Sequence, residues 1–390
     1  MIRFLTAGES HGPSLSVIIE GLPAGLPILS QDIENELSRR RLGYGRGPRM
    51  RFEKDAIRIT GGIRHGRTLG SPVAIEIANT EWPKWEKEMS AAPGKTEKPL
   101  TQPRPGHADL AGMQKYGFED ARDVLERASA RETAARVAAG ACAKALLSHI
   151  GVSILSHTIA LGSISSNLSK RPLPQDLETV DSSSVRCFDP DLEQAMVTEI
   201  KQAAKVGDSL GGVAEVLAYG VPVGLGSHVH WDRKLDSLLA QALMSIQAIK
   251  AVSIGDGIEI ASRRGSAAHD PINWDEETSS YERSSNNAGG IEGGISIGGL
   301  ISARAYMKPL ASLNRPVLKT VDTITKQETV SFKERTDVTA VPAMGVVAET
   351  MMALVLATEA LRKFGGDSLA EFLANYNSYI KSLGVSSSKA

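Results

Sequence analysis

Apolar and polar positions alternate over residues 2–7 and again through SLSVIIE, predicting two strands around the loop Gly8-Glu9-Ser10-His11-Gly12-Pro13. The period becomes helical after Ser30, which reads as the cap. Ile33 and Leu37 share one side of that helix, Asp32 and Glu34 lie in its first turn, Arg39, Arg40 and Arg41 in its last, and Gly43 is the stop. Strands follow at 57–60 and 72–78. The polar stretch 79–106 carries Trp82, Trp85 and prolines at 83, 93, 99, 103 and 105. An unpatterned segment of that length predicts a lid or a disordered segment, and its run into His107 favours the lid.

The strongest helical signal begins at Arg127-Ala128-Ser129-Ala130-Arg131-Glu132-Thr133. Ser129 and Glu132 have the spacing of a capping box, which starts the helix there. Eight of the 18 residues from Ala130 to Leu147 are alanine, so another element can approach closely and the helix is expected to be buried. Arg131 in the first turn opposes the helix dipole. Either an anion sits there, held by Arg127, Arg131 and free N–H groups, or the arginines are solvated and Arg136 pairs with Glu132 four residues back.

Downstream, 152–165 reads as strand and 166–190 as a Ser/Pro/Asp-rich excursion. Gly207-Asp208-Ser209-Leu210-Gly211-Gly212 opens a strand, and Leu235, Leu238, Leu239, Ala242, Leu243 and Ile246 keep helical period. A strand at 252–260 and a mobile polar stretch, 262–285, lead to the glycine-rich run 286–294. The strand 300–307 then delivers Lys308-Pro309-Leu310-Ala311-Ser312, a cation and a hydroxyl suited to phosphate. A Met/Ala/Val-rich helix runs from about Pro342 to Lys363, and residues 383–390 read as a frayed tail. In both halves strands pass through an arginine motif, Arg127/Arg131 and then Arg335, into a long small-residue helix, which predicts an internal repeat.

Composition narrows the classes. The 390 residues can form two domains or one large one. The formal net charge of −1 gives no global attraction to nucleic acid or membrane, so any anion site is local. Cys142 and Cys187 are too few for a disulfide framework, pointing to a reducing cytoplasm. The N-terminus lacks a signal-peptide pattern, and no apolar run is expected to reach the ~18 residues of a membrane span. Nucleotide P-loop, GxGxxG and Cys/His metal patterns are missing. What remains is a set of cations and histidines on stiff loops. The arginines run on through RLGYGRGPRMR, further than a helix end explains, and His11 and His107 each sit beside Gly and Pro.

These motifs together resemble the chorismate synthase family over nearly the whole chain: TAGESHG (6–12), RRRLGYGRGPRM (39–50), RPGHAD (104–109), RASARET (127–133), GDSLGG (207–212), MSIQAIKAVSIGDG (244–257), SNNAGGIEGGIS (285–296) and MKP (307–309). One motif departs. Where the family commonly reads Gly-Arg-His-Asp-Pro, this chain has Glu334-Arg335-Thr336-Asp337-Val338, so no role of that histidine carries over.

The resemblance implies a single-domain lyase converting 5-enolpyruvylshikimate 3-phosphate to chorismate by trans-1,4 elimination of phosphate, with reduced FMN and no net redox change. It implies Arg40, Arg46, Arg49, Arg131 and Arg335 on the substrate anions. His11, beside Ser10, acts on the departing phosphate, His107 stabilises the charged flavin, and Asp337 helps the flavin nitrogen shed a proton. Flavin contacts fall on Arg127, Ala128, Ser129, Gln247, Ala248, Gly293, Lys308, Pro309, Leu310, Ala311, Ser312 and Arg335. The implied fold is an α+β, β-α-β sandwich with helices between two antiparallel sheets, assembled as a homotetramer; periodicity alone supports only mixed α and β. A monofunctional enzyme is expected, with NADPH required only where a reductase activity is present or supplied, as by a separate flavin reductase. Two other classes compete. A non-catalytic anion- or nucleic-acid-binding protein using the 39–51 arginines lacks interleaved aromatics there, and a flavodoxin-like carrier lacks a phosphate loop after its first strand.

Overall fold

In strand Ser14–Glu20, Leu15, Val17 and Ile19 are buried while Ile18 and Glu20 face solvent, as period two requires of a half-covered sheet. The same holds for Val73, Ile75 and Ile77 of strand Val73–Ala78. The computed structural model describes the chain apart from residues 48, 168–169, 278, 316, 333–335 and 384–390. One antiparallel sheet has the order Arg3–Ala7, Ser14–Glu20, Val73–Ala78, Ile57–Gly61. The other has the order Ile249–Ile254, Gly299–Met307, Gly212–Val221, Ser153–Leu161, Ile164–Ser165.

The internal repeat appears as topology. Each half runs strand, strand, helix, strand, strand, long helix through its main elements, and in each sheet the four long strands lie in the order first, second, fourth, third. Helix Thr133–Ser148 packs on the first sheet and helix Val341–Phe364 on Ser153–Leu161 and Gly212–Val221 of the second, and the two helices pack on each other. Small residues make that approach possible. A Cβ at Gly140 would collide with Thr350.

Several expectations are corrected. Ser129 Oγ accepts the Arg131 N–H at 3.3 Å, but Glu132 does not close a capping box; its carboxylate is drawn to Thr6, Arg136 and Gln247, and a 3-10 turn at Ala130–Glu132 precedes the α-helix. Leu29, not Ser30, is the cap of helix Ser30–Arg41, with its N–H bound by Asp32. Helices Pro190–Val206 and Leu369–Ser382 were not anticipated, and 262–285 contains the hairpin Ile272–Asp275/Ser280–Arg283. Helix Val341–Phe364 is long and apolar enough to cross a membrane, contrary to the reading above, but it is a core helix.

The basic end of helix Ser30–Arg41 is only superficially a dipole complement. Arg39 reaches the fully buried Glu349 at 2.7 Å, which also binds Lys144 (2.6 Å), Ser156 (2.7 Å) and Arg186 (3.2 Å). This network locks three helices to the second sheet. Arg40, the next residue, points elsewhere.

Candidate active site

Arg40 lies at the start of one long helix, and the end of its own helix lies against the start of the other. Its Nη1 donates to Thr133 Oγ1 at 3.5 Å, while Gly43, just beyond its helix, lies against Pro342 in the first turn of the other. Two positive helix ends therefore face the same arginine-rich region. Arg40 is 4% exposed, Nη2 is 3.6 Å from Asp55, and Nε and Nη2 have no hydrogen-bond partner. Burial pushes its guanidinium down to about 10, against the attraction of Asp55 and with repulsion from Arg131, Arg46 and Arg49. It is still a cation at neutral pH.

The neighbouring arginines are held by carboxylates of the chain. Arg131 pairs with Asp55 and donates to Asn79 Oδ1 at 2.9 Å, so the anion beside that helix start is internal, and Arg136 does pair with Glu132. Arg46 Nε lies 2.7 Å from Asp337 Oδ2, and Asp337 Oδ1 accepts the Gly47 N–H at 2.5 Å. Arg49 pairs with Glu53 at 3.1 Å and donates to Ser10 Oγ at 3.0 Å and Ser10 O at 2.8 Å. Asp55 adopts a left-handed backbone, φ 51°, a strained conformation for a non-glycine residue that places its carboxylate among these cations.

His11 stands in the turn that Arg49 grips. Its Nδ1 is 2.9 Å from Glu126, its ring centroid 4.2 Å from that of Trp85, and Arg122 lies 4.8 Å over the same indole while pairing with Glu126 at 3.0 Å. His107 is built alike. Its Nδ1 contacts Asp109, Arg104 binds Asp109 at 2.8 Å and lies 4.9 Å over Phe332, and Arg104 also donates to Ser312 Oγ at 2.7 Å. Burial opposes ionisation of Glu126 and Asp109, yet His11 with Arg122, and His107 with Arg104, hold each carboxyl below its usual range.

The residues assigned to flavin form a second group. Arg127 and Gln247 line one cavity of about 390 Å³ with Thr6, Glu132, Arg136 and Ser245, and Gln247 Oε1 is buried without a partner. Ala128 ends helix Arg122–Ala128, and Ser129 follows as the cap of the 3-10 turn. Ala248, at φ 66°, accepts the Lys308 N–H at 3.0 Å; Lys308 Nζ binds Gly106 O beside Ala311, and Leu310 O, after Pro309, accepts from Ser209 Oγ at 2.8 Å. Gly293 is apart, in the turn between Ile291–Glu292 and Ile295–Ser296, with no described contact to the rest. Arg335 lies outside the described residues.

Sequence reading missed Glu126, Asp109, Arg104 and Asp55 as site residues. A usable signal existed. Gly8-Glu9-Ser10-His11-Gly12 and Gly207-Asp208-Ser209-Leu210-Gly211 are one pattern at equivalent places, each leading into its half's second strand. Both are tied to the segment after the fourth strand, through Asn79 Nδ2 to Gly12 O at 2.7 Å and Ser209 Oγ to Leu310 O.

Comparison with known proteins matches nearly the whole chain to one family. The family model described as chorismate synthase matches residues 2–361. The chorismate synthase of Thermobifida fusca is 58% identical over 98% of this chain and 99% of its own length, and that of Streptomyces coelicolor is 56% identical over 98% and 99%. A solved structure, "Crystal Structure of Chorismate Synthase", superposes with a TM-score of 0.79 at 41% identity, covering 98% of each chain.

Proposed function

The chain belongs to the chorismate synthase family, and on that premise we propose how its own residues carry the reaction. It is a lyase of the shikimate pathway to aromatic amino acids, converting 5-enolpyruvylshikimate 3-phosphate to chorismate and phosphate by trans-1,4 elimination. The substrate carries a phosphate and two carboxylates. The observation that carries the binding scheme is Arg40, a buried cation with unpartnered donors at the meeting of two helix N-termini. Arg46, Arg49 and Arg131 extend that site, each already oriented by a carboxylate, and Arg335 completes the assigned set. Preorganised forks lose little freedom when an anion arrives.

The donor set also fits a flavin. An orphaned amide oxygen on Gln247, the Arg127 guanidinium and a cavity of about 390 Å³ offer hydrogen bonding and space for a flat heteroaromatic ring, and Lys308 and Ser312 suit its phosphate. When bound, reduced FMN supplies the electron-rich ring against which the substrate loses hydrogen and phosphate without net redox change. Asp337, held by Arg46 and the Gly47 N–H, offers a carboxylate that would take up a proton shed by a bound reduced flavin. His11 meets the departing phosphate, with Ser10 fixed beside it by Arg49. His107, set by Asp109 and Arg104, faces the charge on the flavin side.

We read the helix pair as the middle layer of a β-α-β sandwich, the assembly as a homotetramer and the compartment as cytoplasm, in keeping with two free, buried cysteines. NADPH is needed only through a reductase, which we take to be a separate protein. The nucleic-acid reading loses support because Arg40, Arg46 and Arg49 are committed among carboxylates instead of lining an open face. The test is chorismate formation by purified protein, anaerobically with photoreduced FMN and aerobically with NADPH and FMN. Product in the first assay alone is expected. Product in both assigns a reductase to this chain, and product in neither refutes the mechanism.

A further inference from the structure

Glu126 is buried, and it holds the His11 turn from three sides. Its carboxylate accepts the His11 backbone N–H at 2.8 Å and faces His11 Nδ1 at 2.9 Å, and its backbone oxygen accepts the Ser10 N–H at 3.0 Å. Arg122 donates to the same carboxylate at 3.0 Å. An ionised carboxylate only accepts hydrogen bonds, so the nitrogen facing it must carry the hydrogen. We infer that Glu126 is a positioning residue that holds a hydrogen on His11 Nδ1, so that the proton the ring takes up and gives to the substrate phosphate sits on Nε2; the phosphate part rests on the reading of His11 given above.

Two further observations bear on this. Trp85 lies against the imidazole, tilted by 31°, and is itself covered by Arg122, so a ring flip that would carry Nδ1 away from the carboxylate has to break both that contact and the Glu126 contact. The second histidine shares part of the unit on other elements: His107 Nδ1 lies against Asp109, with Arg104 Nη2 also 3.0 Å from that nitrogen and Phe332 packed on Arg104 instead of on the imidazole. A carboxylate behind the imidazole is thus used twice, at both histidines of the site. The turn itself does not depend on the Glu126 side chain alone, since the Ser10 N–H is held by the backbone oxygen and Ser10 Oγ by Arg49.

The test combines a spectroscopic and a kinetic reading on the full chain with FMN. Nitrogen-15 spectra of histidine-labelled protein should show His11 as the Nδ1–H tautomer, and Glu126→Gln, which offers both a donor and an acceptor, should mix the tautomers. Glu126→Gln should lower kcat about tenfold or more with KM changed less than about threefold, and should add no further loss in a His11→Ala background. An Nε2–H tautomer in the wild type overturns the inference, as does an equal loss of rate from Glu126→Gln with and without His11. A normal rate in His11→Ala, with the Nδ1–H form lost only in Glu126→Gln, upholds the positioning and refutes the phosphate role.

Discussion

Arg49 and Arg131 share an assignment but not an environment, so their loss should differ. Arg131 is almost wholly buried against Asp55, and its removal takes away the hydrogen-bonded partner of that carboxylate and leaves it only the longer contacts to Arg40 and Arg41; Arg131→Ala should destabilise the fold by about 3–5 kcal/mol as well as weaken substrate binding. Arg49 is half-buried beside Glu53 and Ser10, and Glu53 keeps Thr80 and Arg131 without it, so Arg49→Ala should weaken substrate binding by about 2–5 kcal/mol with a smaller fall in the urea midpoint than Arg131→Ala. Equal stability losses would show that burial does not separate them. Asp337 is tested by Asp337→Asn. The amide can still accept the Gly47 N–H, yet lacks the charge needed to take a proton, so the variant should bind both ligands and lose at least ~100-fold in rate. Near-normal turnover would leave Asp337 as a partner of Arg46 only. At this scale the sequence showed cations and histidines because they stand in glycine-rich motifs. Their carboxylate partners were illegible, since Glu126 and Asp55 meet His11 and Arg131 across 115 and 76 positions that no local pattern joins.

At the scale of elements, the Ala-rich helix was legible because propensity and packing agree there, whereas its start was not. Glu132 had two nonlocal partners, Thr6 and Gln247, and Arg136 one turn on, all competing with the cap, and they won. The cost of crowding is measurable at Gly140. Alanine would gain about 1 kcal/mol in helix propensity, but its Cβ would run into Thr350 on a close-packed neighbour, where overpacking costs about 1–3 kcal/mol. Gly140→Ala should therefore lower the melting temperature; a rise would show that the helices separate freely. Segment 79–106 behaves as two parts. Its end is fastened by Leu100 to Asp120 and by Thr101 to Asp322, while Trp85 reaches the His11 ring. Limited proteolysis should cut within 86–99 in the free protein and be suppressed with FMN and substrate bound. Equal cleavage in both states would remove the lid reading.

At the scale of the molecule, the repeat explains why the site lies where it does. Two halves of the same strand order bring their long helices together so that Thr133 and Pro342, at the two starts, flank the end of helix Ser30–Arg41. The sequence hinted at this through two arginine-to-helix passages, but strand order depends on which edges pair, and alternation along a strand does not encode that. Charge is then concentrated at one place in a chain whose net charge is only −1. The direct test is substrate affinity at Arg40, measured by calorimetry with FMN-saturated protein. Arg40→Met keeps most of the buried stem, and Asp55 retains Arg131 and Arg41, so the fold should persist. The account predicts that 5-enolpyruvylshikimate 3-phosphate binds Arg40→Met at least about 30-fold more weakly than the wild type; unchanged affinity in a folded variant would contradict it.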